Sequence, residues 1–162
     1  MAFLDSSSLI LFAKSDVLDI FIDSLVEKPK ITEIVFEECI KKDSLDAKLI
    51  KQRVLGKKIT VVKASDRQLC NKIAIDFNLG LGEAETIGQA IKENSSVITD
   101  DKKAMKVCRI FNLEFTSTLS LLSVLYENKK IDKSEALSAF EKLRKHGWFS
   151  KEVLNKFLED LT

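Results

Sequence analysis

The chain alternates between short apolar runs and longer stretches in which apolar residues recur every three or four positions. Short runs of this kind predict strands, and the helical spacing predicts helices. The predicted strands are AFLD at 2–5, KPKI at 28–31, KKITVVKAS at 57–65, SSVIT at 95–99 and LEFTS at 113–117. The predicted helices span 6–25 as one or two pieces, 32–55 with a break near Asp43 and Ser44, 65–77, 83–94, 101–112, 118–128, 132–147 and 150–161.

The alternation of strands with helices predicts an α/β fold. Short, continuously apolar strands are typical of a parallel sheet that helices cover on both faces. We therefore expect a three-layer sandwich with a short-stranded, mainly parallel central sheet. The last two predicted helices have no strand between them and are expected to form a C-terminal helical hairpin. This organisation gives a main domain at 1–128 and an extension at 129–162 that packs on the same domain.

The composition is that of an ordinary globular chain without a strong overall electrostatic field. Its 162 residues suffice for one domain with a sizeable core, 45% of them are hydrophobic, and the net charge is +1. No apolar run reaches the roughly 20 residues that span a bilayer, and no basic segment precedes the first apolar stretch. We therefore expect a cytoplasmic protein without membrane contact. Three widely separated cysteines predict free, buried thiols.

Acidic side chains follow the predicted strands, at the points where parallel sheets bind ligands. They are Asp5 after the first strand, Glu37 and Glu38 on the helix after KPKI, Glu83 and Glu85 after the glycine loop, and Asp100 and Asp101 after SSVIT. Singly, each has a structural alternative as a helix cap or a solvated surface residue. Together in one crevice they would repel one another, and a divalent cation removes this repulsion. Oxygen ligands alone favour Mg²⁺ or Mn²⁺, whose bound water suits phosphodiester hydrolysis.

The order and spacing of these residues resemble the PIN domain family over about residues 2–125. The resemblance rests on FLDSSSLI, ITEIVFEECI, GLGEAETIGQA and VITDDKKAMKV, the last of which closes a strand in Thr-x-Asp. The sequence GEAE, in place of a commoner Asp-Ala pair, and the segment TSTLSLL are similar to a prokaryotic PIN subgroup related to the ribonuclease toxins of toxin–antitoxin modules. The resemblance implies a metal-dependent ribonuclease with RNA as substrate, an antitoxin protein as partner and a homodimeric assembly.

The resemblance also implies which residues form the site. The family register favours Glu38 over Glu37, because Glu38 lies three residues after Val35, and it favours Asp101 over Asp100 through the Thr-x-Asp spacing. The implied catalytic residues and metal ligands are Asp5, Glu38, Glu83 and Asp101, with Asp100 and Glu85 as runners-up and Ser7 and Thr99 in support.

Basic residues after the aspartates form a candidate nucleic-acid surface. Lys102, Lys106 and Arg109 share one face of a predicted helix, which is suited to hold an RNA backbone beside an acidic crevice. A solvated helix exterior is the alternative. Ten phenylalanines dominate the aromatic residues and are expected in the core, so no base-stacking platform is predicted. The single histidine, His146, argues against a Ser-His-Asp triad and is expected near a helix end.

Three functions are compatible with these observations. The first is the metal-dependent ribonuclease. The second is a catalytically weak or inactive PIN-like module that binds RNA or protein, because glutamate stands at position 83 where relatives have aspartate. The third is a phosphoryl-transfer domain such as a receiver or a phosphatase. It is disfavoured because Ser7 stands where phosphatases carry a second acid, and because receivers carry their acid pair after the first strand.

Overall fold

Five parallel strands form one central sheet in the computed structural model, which describes all 162 residues. The strands are β1 (Ala2–Leu4), β2 (Lys30–Thr32), β3 (Thr60–Val62), β4 (Ser96–Ile98) and β5 (Phe115–Thr116). Their spatial order is β3-β2-β1-β4-β5. In the register of the sheet, Phe3 lies opposite Lys30 on one side and opposite Val97 on the other. The chain thus builds outward from β1 to β3 and then returns to the opposite side of β1 with β4.

Ten helices flank the sheet, and the predicted three-layer α/β sandwich is confirmed. The helices are α1 (Ser6–Lys14), α2 (Leu18–Ser24), α3 (Glu33–Ile40), α4 (Leu45–Leu55), α5 (Arg67–Phe77), α6 (Leu81–Glu93), α7 (Lys102–Ile110), α8 (Thr118–Glu127), α9 (Lys133–His146) and α10 (Lys151–Asp160). None of them has the length and hydrophobicity that crossing a bilayer requires.

Two hydrophobic cores lie on opposite faces of the sheet because neighbouring residues of a strand point in opposite directions. Leu4 of β1 belongs to the larger core, which α1 to α4 and α8 to α10 line. Phe3 belongs to the smaller core, which α5, α6 and α7 line. Both residues are completely buried. Burial on both faces explains why the strand sequences are continuously apolar rather than alternating. The three cysteines are free and buried, as predicted.

The C-terminal helices α9 and α10 pack against the larger core. Phe140 of α9 and Phe157 of α10 stack with ring centroids 4.8 Å apart, and both belong to the cluster that contains Leu4. Leu143 of α9 is also completely buried. The residues after 129 therefore share a core with β1, and α9 ends at His146, close to the carboxyl ends of the strands.

The structure differs from the sequence-based expectations mainly at element ends. The predicted strand at 57–65 contains only three paired residues, which match the three residues of its neighbour β2. The helix predicted from Glu83 begins two residues earlier, at Leu81, so Gly82 is helical. The stretch 6–25 forms two helices, since Asp16 adopts a left-handed conformation with φ of 60° between them.

Candidate active site

The carboxyl ends of β1 and β4 bring two helix N-termini together. Asp5 caps α1, because its Oδ1 accepts hydrogen bonds from the Ser8 amide at 2.8 Å and from the Ser7 hydroxyl at 3.1 Å. Asp101 caps α7 in the same way, accepting from the Ala104 amide at 2.8 Å. The strand order changes direction between β1 and β4, and such a switch point is where open α/β sheets bind ligands.

Asp5 has one carboxylate oxygen without a hydrogen-bond partner. The residue is only 2% exposed, and its Oδ2 is buried and accepts no hydrogen bond, although the Thr99 and Ser8 hydroxyls lie close to the carboxyl. Burial raises the pKa of Asp5, although hydrogen bonds from surrounding hydroxyl and amide groups oppose the increase. Unpaired buried polar atoms are rare in folded proteins, and each one calls for an explanation such as a bound ion or a catalytic role.

Asp100 connects the end of β4 to the start of α8. Its Oδ1 accepts from the Thr118 amide at 3.0 Å, and its Oδ2 accepts from the Thr118 hydroxyl at 2.7 Å. Burial raises the pKa of Asp100 to about 6, and the negative charge of Asp5 contributes to the increase. The Asp101 amide donates to the Thr99 hydroxyl at 3.1 Å, so Thr99 holds the turn that carries both aspartates.

Glu83 and Glu85 face different surroundings, as expected for residues two apart on a helix. Glu83 accepts from the Gly80 amide at 3.0 Å in the first turn of α6. Burial raises the pKa of Glu83, and the charges of Asp101, Asp5 and Glu38 raise it further, so these four acids share one electrostatic environment. Glu85 instead lines a separate pocket of about 370 Å³. Burial likewise raises the pKa of Glu85.

Glu37 and Glu38, like Glu83 and Glu85, face different surroundings. Glu37 lines the pocket that contains Glu85. The carboxylate of Glu38 lies against Gly82 of α6, where an added methyl group would be only 2.6 Å from Glu38 Oε2. Gly82 therefore leaves the space that Glu38 occupies beside the first turn of α6. Sequence reasoning assigned no role to this glycine, because the contact joins two helices that are distant along the chain.

A pocket of about 410 Å³ opens at this end of the sheet. Acidic residues form one part of its lining, and the loop between α9 and α10 forms another. The lining residues are Ser7, Ile10, Leu11, Lys14, Glu83, Asp100, Asp101, His146, Gly147 and Trp148. His146 was expected only as a helix-end residue, and Trp148 had no assigned role. No local sequence signal connects them to the acids, since only the packing of α9 brings them there.

A family model, DUF3368, described as a PIN domain, matches residues 1–162 of the chain. The protein belongs to the PIN domain family. PIN domains are generally nucleases and typically use divalent metal ions. The match includes α9 and α10 as well as the sheet. No curated protein gives a significant match to the chain.

The acidic side chains of this PIN domain are of the type that binds a hard cation, but they are not close enough together to coordinate one. All the candidate donors are carboxylate or hydroxyl oxygens, which suit Mg²⁺ or Mn²⁺, and the unpaired Oδ2 of Asp5 is an available ligand atom. No group of three or more acidic, histidine or cysteine side chains is close enough to hold a metal ion. The carboxylates repel one another, and Asp5, Glu83 and Asp101 each accept a hydrogen bond from a backbone amide. Cation binding thus requires side-chain movement.

The predicted basic face of the PIN domain lies on α7. Lys102, Lys106 and Arg109 are all exposed. The Arg109 guanidinium lies 5.1 Å from the centroid of the Phe115 ring, so this side chain is partly engaged in a cation–π contact with β5. Lys102 directly follows the capping Asp101, so the N-terminal end of α7 is the part of this basic face that lies beside the acids.

Proposed function

We propose that this PIN domain is a metal-dependent ribonuclease that hydrolyses phosphodiester bonds at the acidic pocket. The observation that carries the proposal is the grouping of four acids at the switch point of the sheet, one of which has a buried, unpaired oxygen. Unpaired carboxylate oxygens in a shared negative environment favour cation binding. The family supplies the reaction class, since PIN domains are generally nucleases.

Asp5, Glu38, Glu83 and Asp101 are the residues that would hold Mg²⁺ or Mn²⁺. The cation would supply an activated water and neutralise charge on the phosphate. The Ser7 hydroxyl and the Ser8 amide orient Asp5, and Thr99 supports the turn that carries Asp101.

RNA is the proposed substrate, and exposed lysines at the start of α7 would contact its backbone. Lys102 and Lys106 are free to approach phosphates, whereas Arg109 would do so only after leaving the Phe115 ring. Phosphate contacts of this type position a nucleic acid without reading its sequence. We further propose that the protein is the toxin of a toxin–antitoxin pair, that its antitoxin occludes the acidic pocket, and that it forms a homodimer.

A non-catalytic RNA- or protein-binding module is the second candidate. It is favoured by the hydrogen bonds that occupy Glu83 and Asp101, and by the lack of a closed ligand set among the acids. In this case the acids would serve as helix caps, and the unpaired oxygen of Asp5 would be compensated by water.

The test compares the wild type with Asp5→Asn and Asp66→Asn on unstructured and structured RNA. Asparagine also caps helices well, and Asp66 caps α5 through the Leu69 amide at 2.9 Å, so Asp66→Asn is a matched control outside the pocket. We expect cleavage that requires Mg²⁺ or Mn²⁺ and stops with a chelator. The cleavage rate should fall by about 100-fold or more in Asp5→Asn, because a charged metal ligand is lost. The rate of Asp66→Asn should equal that of the wild type.

Two results would contradict the proposal. Equal cleavage by the wild type and Asp5→Asn would exclude Asp5 as a metal ligand and contradict the proposed acid cluster. No cleavage of any RNA by the wild type, with or without metal, would favour the non-catalytic module. Thermal unfolding with and without Mn²⁺ separates metal binding from catalysis, since a bound cation stabilises the folded state.

A further inference from the structure

The only tryptophan of the chain is held outside the core. Trp148 lies in the loop between α9 and α10 and is 98% exposed. The next residue, Phe149, packs against the larger core. At Gly147 an added methyl group would lie 2.6 Å from Phe149 Cε2 and 3.1 Å from the Leu143 carbonyl oxygen. The loop is thus anchored by close packing, and this anchoring presents the indole to solvent.

Full exposure of tryptophan is unusual, because this side chain is highly buried on average. Trp148 also lies on the wall of the acidic pocket, together with Glu83, Asp100 and Asp101. An exposed aromatic ring beside a proposed phosphodiester-cleaving site is in the correct place to contact the substrate.

Cationic side chains flank Trp148 along the chain and on the side of the pocket away from the acids. Lys145 precedes it in the last turn of α9, Lys151 begins α10, and Lys14 lines the same pocket, whereas Arg144 is paired with Glu141. All four side chains are exposed. Proteins that bind single-stranded nucleic acid combine cationic side chains, which follow the phosphates, with aromatic rings on which bases stack. Protein-binding hot spots instead lie in well-packed, desolvated centres, and the polar neighbours of Trp148 provide no such centre.

We propose that Trp148 stacks on an unpaired base of a single-stranded nucleic acid whose backbone enters the acidic pocket. This inference rests on the proposed nuclease function and identifies Trp148 as a residue that positions its RNA substrate. Bases inside a duplex are stacked on their neighbours, so an aromatic side chain reaches them only in single strands, loops or bulges. The expectation that all aromatic residues lie in the core fails at Trp148, which is 98% exposed, and this proposal gives that exposed ring a role.

The single tryptophan makes the contact directly measurable. Every change in intrinsic tryptophan fluorescence of the protein must come from Trp148. We would titrate Asp5→Asn, which is expected to cleave about 100-fold or more slowly than the wild type, with a short unstructured RNA in the presence of Mg²⁺, and separately with a blunt RNA duplex. Stacking predicts saturable quenching by the single strand and little quenching by the duplex at the same concentration.

Binding of a labelled single-stranded RNA, followed by anisotropy, extends the test to variants without the indole. Trp148→Ala should bind about 5- to 150-fold more weakly, as is usual for the loss of one stacked base. Trp148→Phe should recover part of the affinity, because it keeps an aromatic face. The control is Ile75→Ala, which removes an 80% exposed apolar side chain from α5 and should bind like the parent. When Trp148→Ala is the only substitution, so that the protein can still cleave RNA, it should raise KM more than it lowers kcat.

Several outcomes would overturn this inference. The first is an RNA affinity that Trp148→Ala leaves unchanged, and the second is fluorescence quenching that is equal for duplex and single strand. The third is a Trp148→Ala variant that no longer self-associates but still binds RNA, because this result would assign the ring to a protein interface. Quenching and loss of affinity without any cleavage would support the stacking contact and contradict only the nuclease proposal. The two ideas can therefore fail separately.

Discussion

Replacing Asp100 with asparagine should stabilise the metal-free protein at neutral pH. Burial raises the pKa of this carboxyl from 3.8 to about 6, so the folded protein resists its ionisation more than the unfolded chain does. Asparagine resembles the protonated acid in shape. Its side-chain oxygen can accept from the Thr118 amide, and its amino group can donate to the Thr118 hydroxyl or to the Ser8 hydroxyl, which donates weakly to Asp100 at 3.5 Å, so the contacts of Asp100 have replacements.

The sign and size of the effect follow from proton linkage. Below the unfolded pKa of 3.8, both states hold the proton. Between that value and about 6, the unfolded chain loses the proton while the folded chain keeps it, so the free energy of unfolding falls as pH rises. Above about 6 the loss is complete. A difference of about 2 pKa units at about 1.4 kcal/mol each gives roughly 3 kcal/mol, which Asp100→Asn should regain.

The assay is urea unfolding in a chelator, followed by far-ultraviolet circular dichroism at several pH values. The variant should exceed the wild type by roughly 3 kcal/mol at about pH 8, and this difference should shrink towards zero at about pH 4. Asp132→Asn is the control, because Asp132 caps α9 at an exposed position. A stability difference that is independent of pH, or a variant less stable than the wild type at about pH 8, would refute the reasoning.

Two glycine substitutions test contacts that the structure identifies. Gly82→Ala places a methyl group 2.6 Å from Glu38 Oε2, so the exposed glutamate must turn away. We expect the rate of RNA cleavage to fall on the order of 10-fold. The free energy of unfolding in urea should be unchanged or higher by about 1 kcal/mol, because alanine favours the helix more than glycine does. Full activity would exclude Glu38 as a metal ligand. Gly88→Ala places a methyl group 2.7 Å from the sulfur of buried Cys70, and such overpacking costs about 1–3 kcal/mol. The double variant with Cys70→Ala should recover this loss in urea unfolding, and no recovery would place the strain elsewhere.

The fold could be predicted from sequence because its strands are buried on both faces. Runs such as AFLD and SSVIT are short and apolar, and several helices carry aspartate, threonine or serine caps that mark their starts. The predicted break near Asp43 is present, since α3 ends at Ile40 and α4 begins at Leu45. Strand lengths were harder to predict, because the number of paired residues depends on the neighbouring strand rather than on the local sequence.

The strand pattern of the sequence predicts only those site residues that directly follow the end of a strand. Asp5 and Asp101 follow adjacent parallel strands, so the topology brings them together without further information. Two features could not be predicted. The space that Gly82 leaves for Glu38 depends on how α3 crosses α6, and the position of Trp148 depends on how α9 packs against α1 and the sheet. Such contacts between distant segments leave no periodic signal in the sequence.

Asp5 and Asp101 hold their helices with one oxygen each, and this has an entropic consequence. The hydrogen bonds to Ser8 and Ala104 restrict the rotation of both carboxylates as soon as α1 and α7 form. Most of their conformational entropy is therefore lost during folding, so that only the side-chain adjustment needed for cation binding remains when a ligand binds. Any substitution that frays the first turn of either helix would return this freedom to the carboxylate and weaken binding, even at a residue that never touches the ligand.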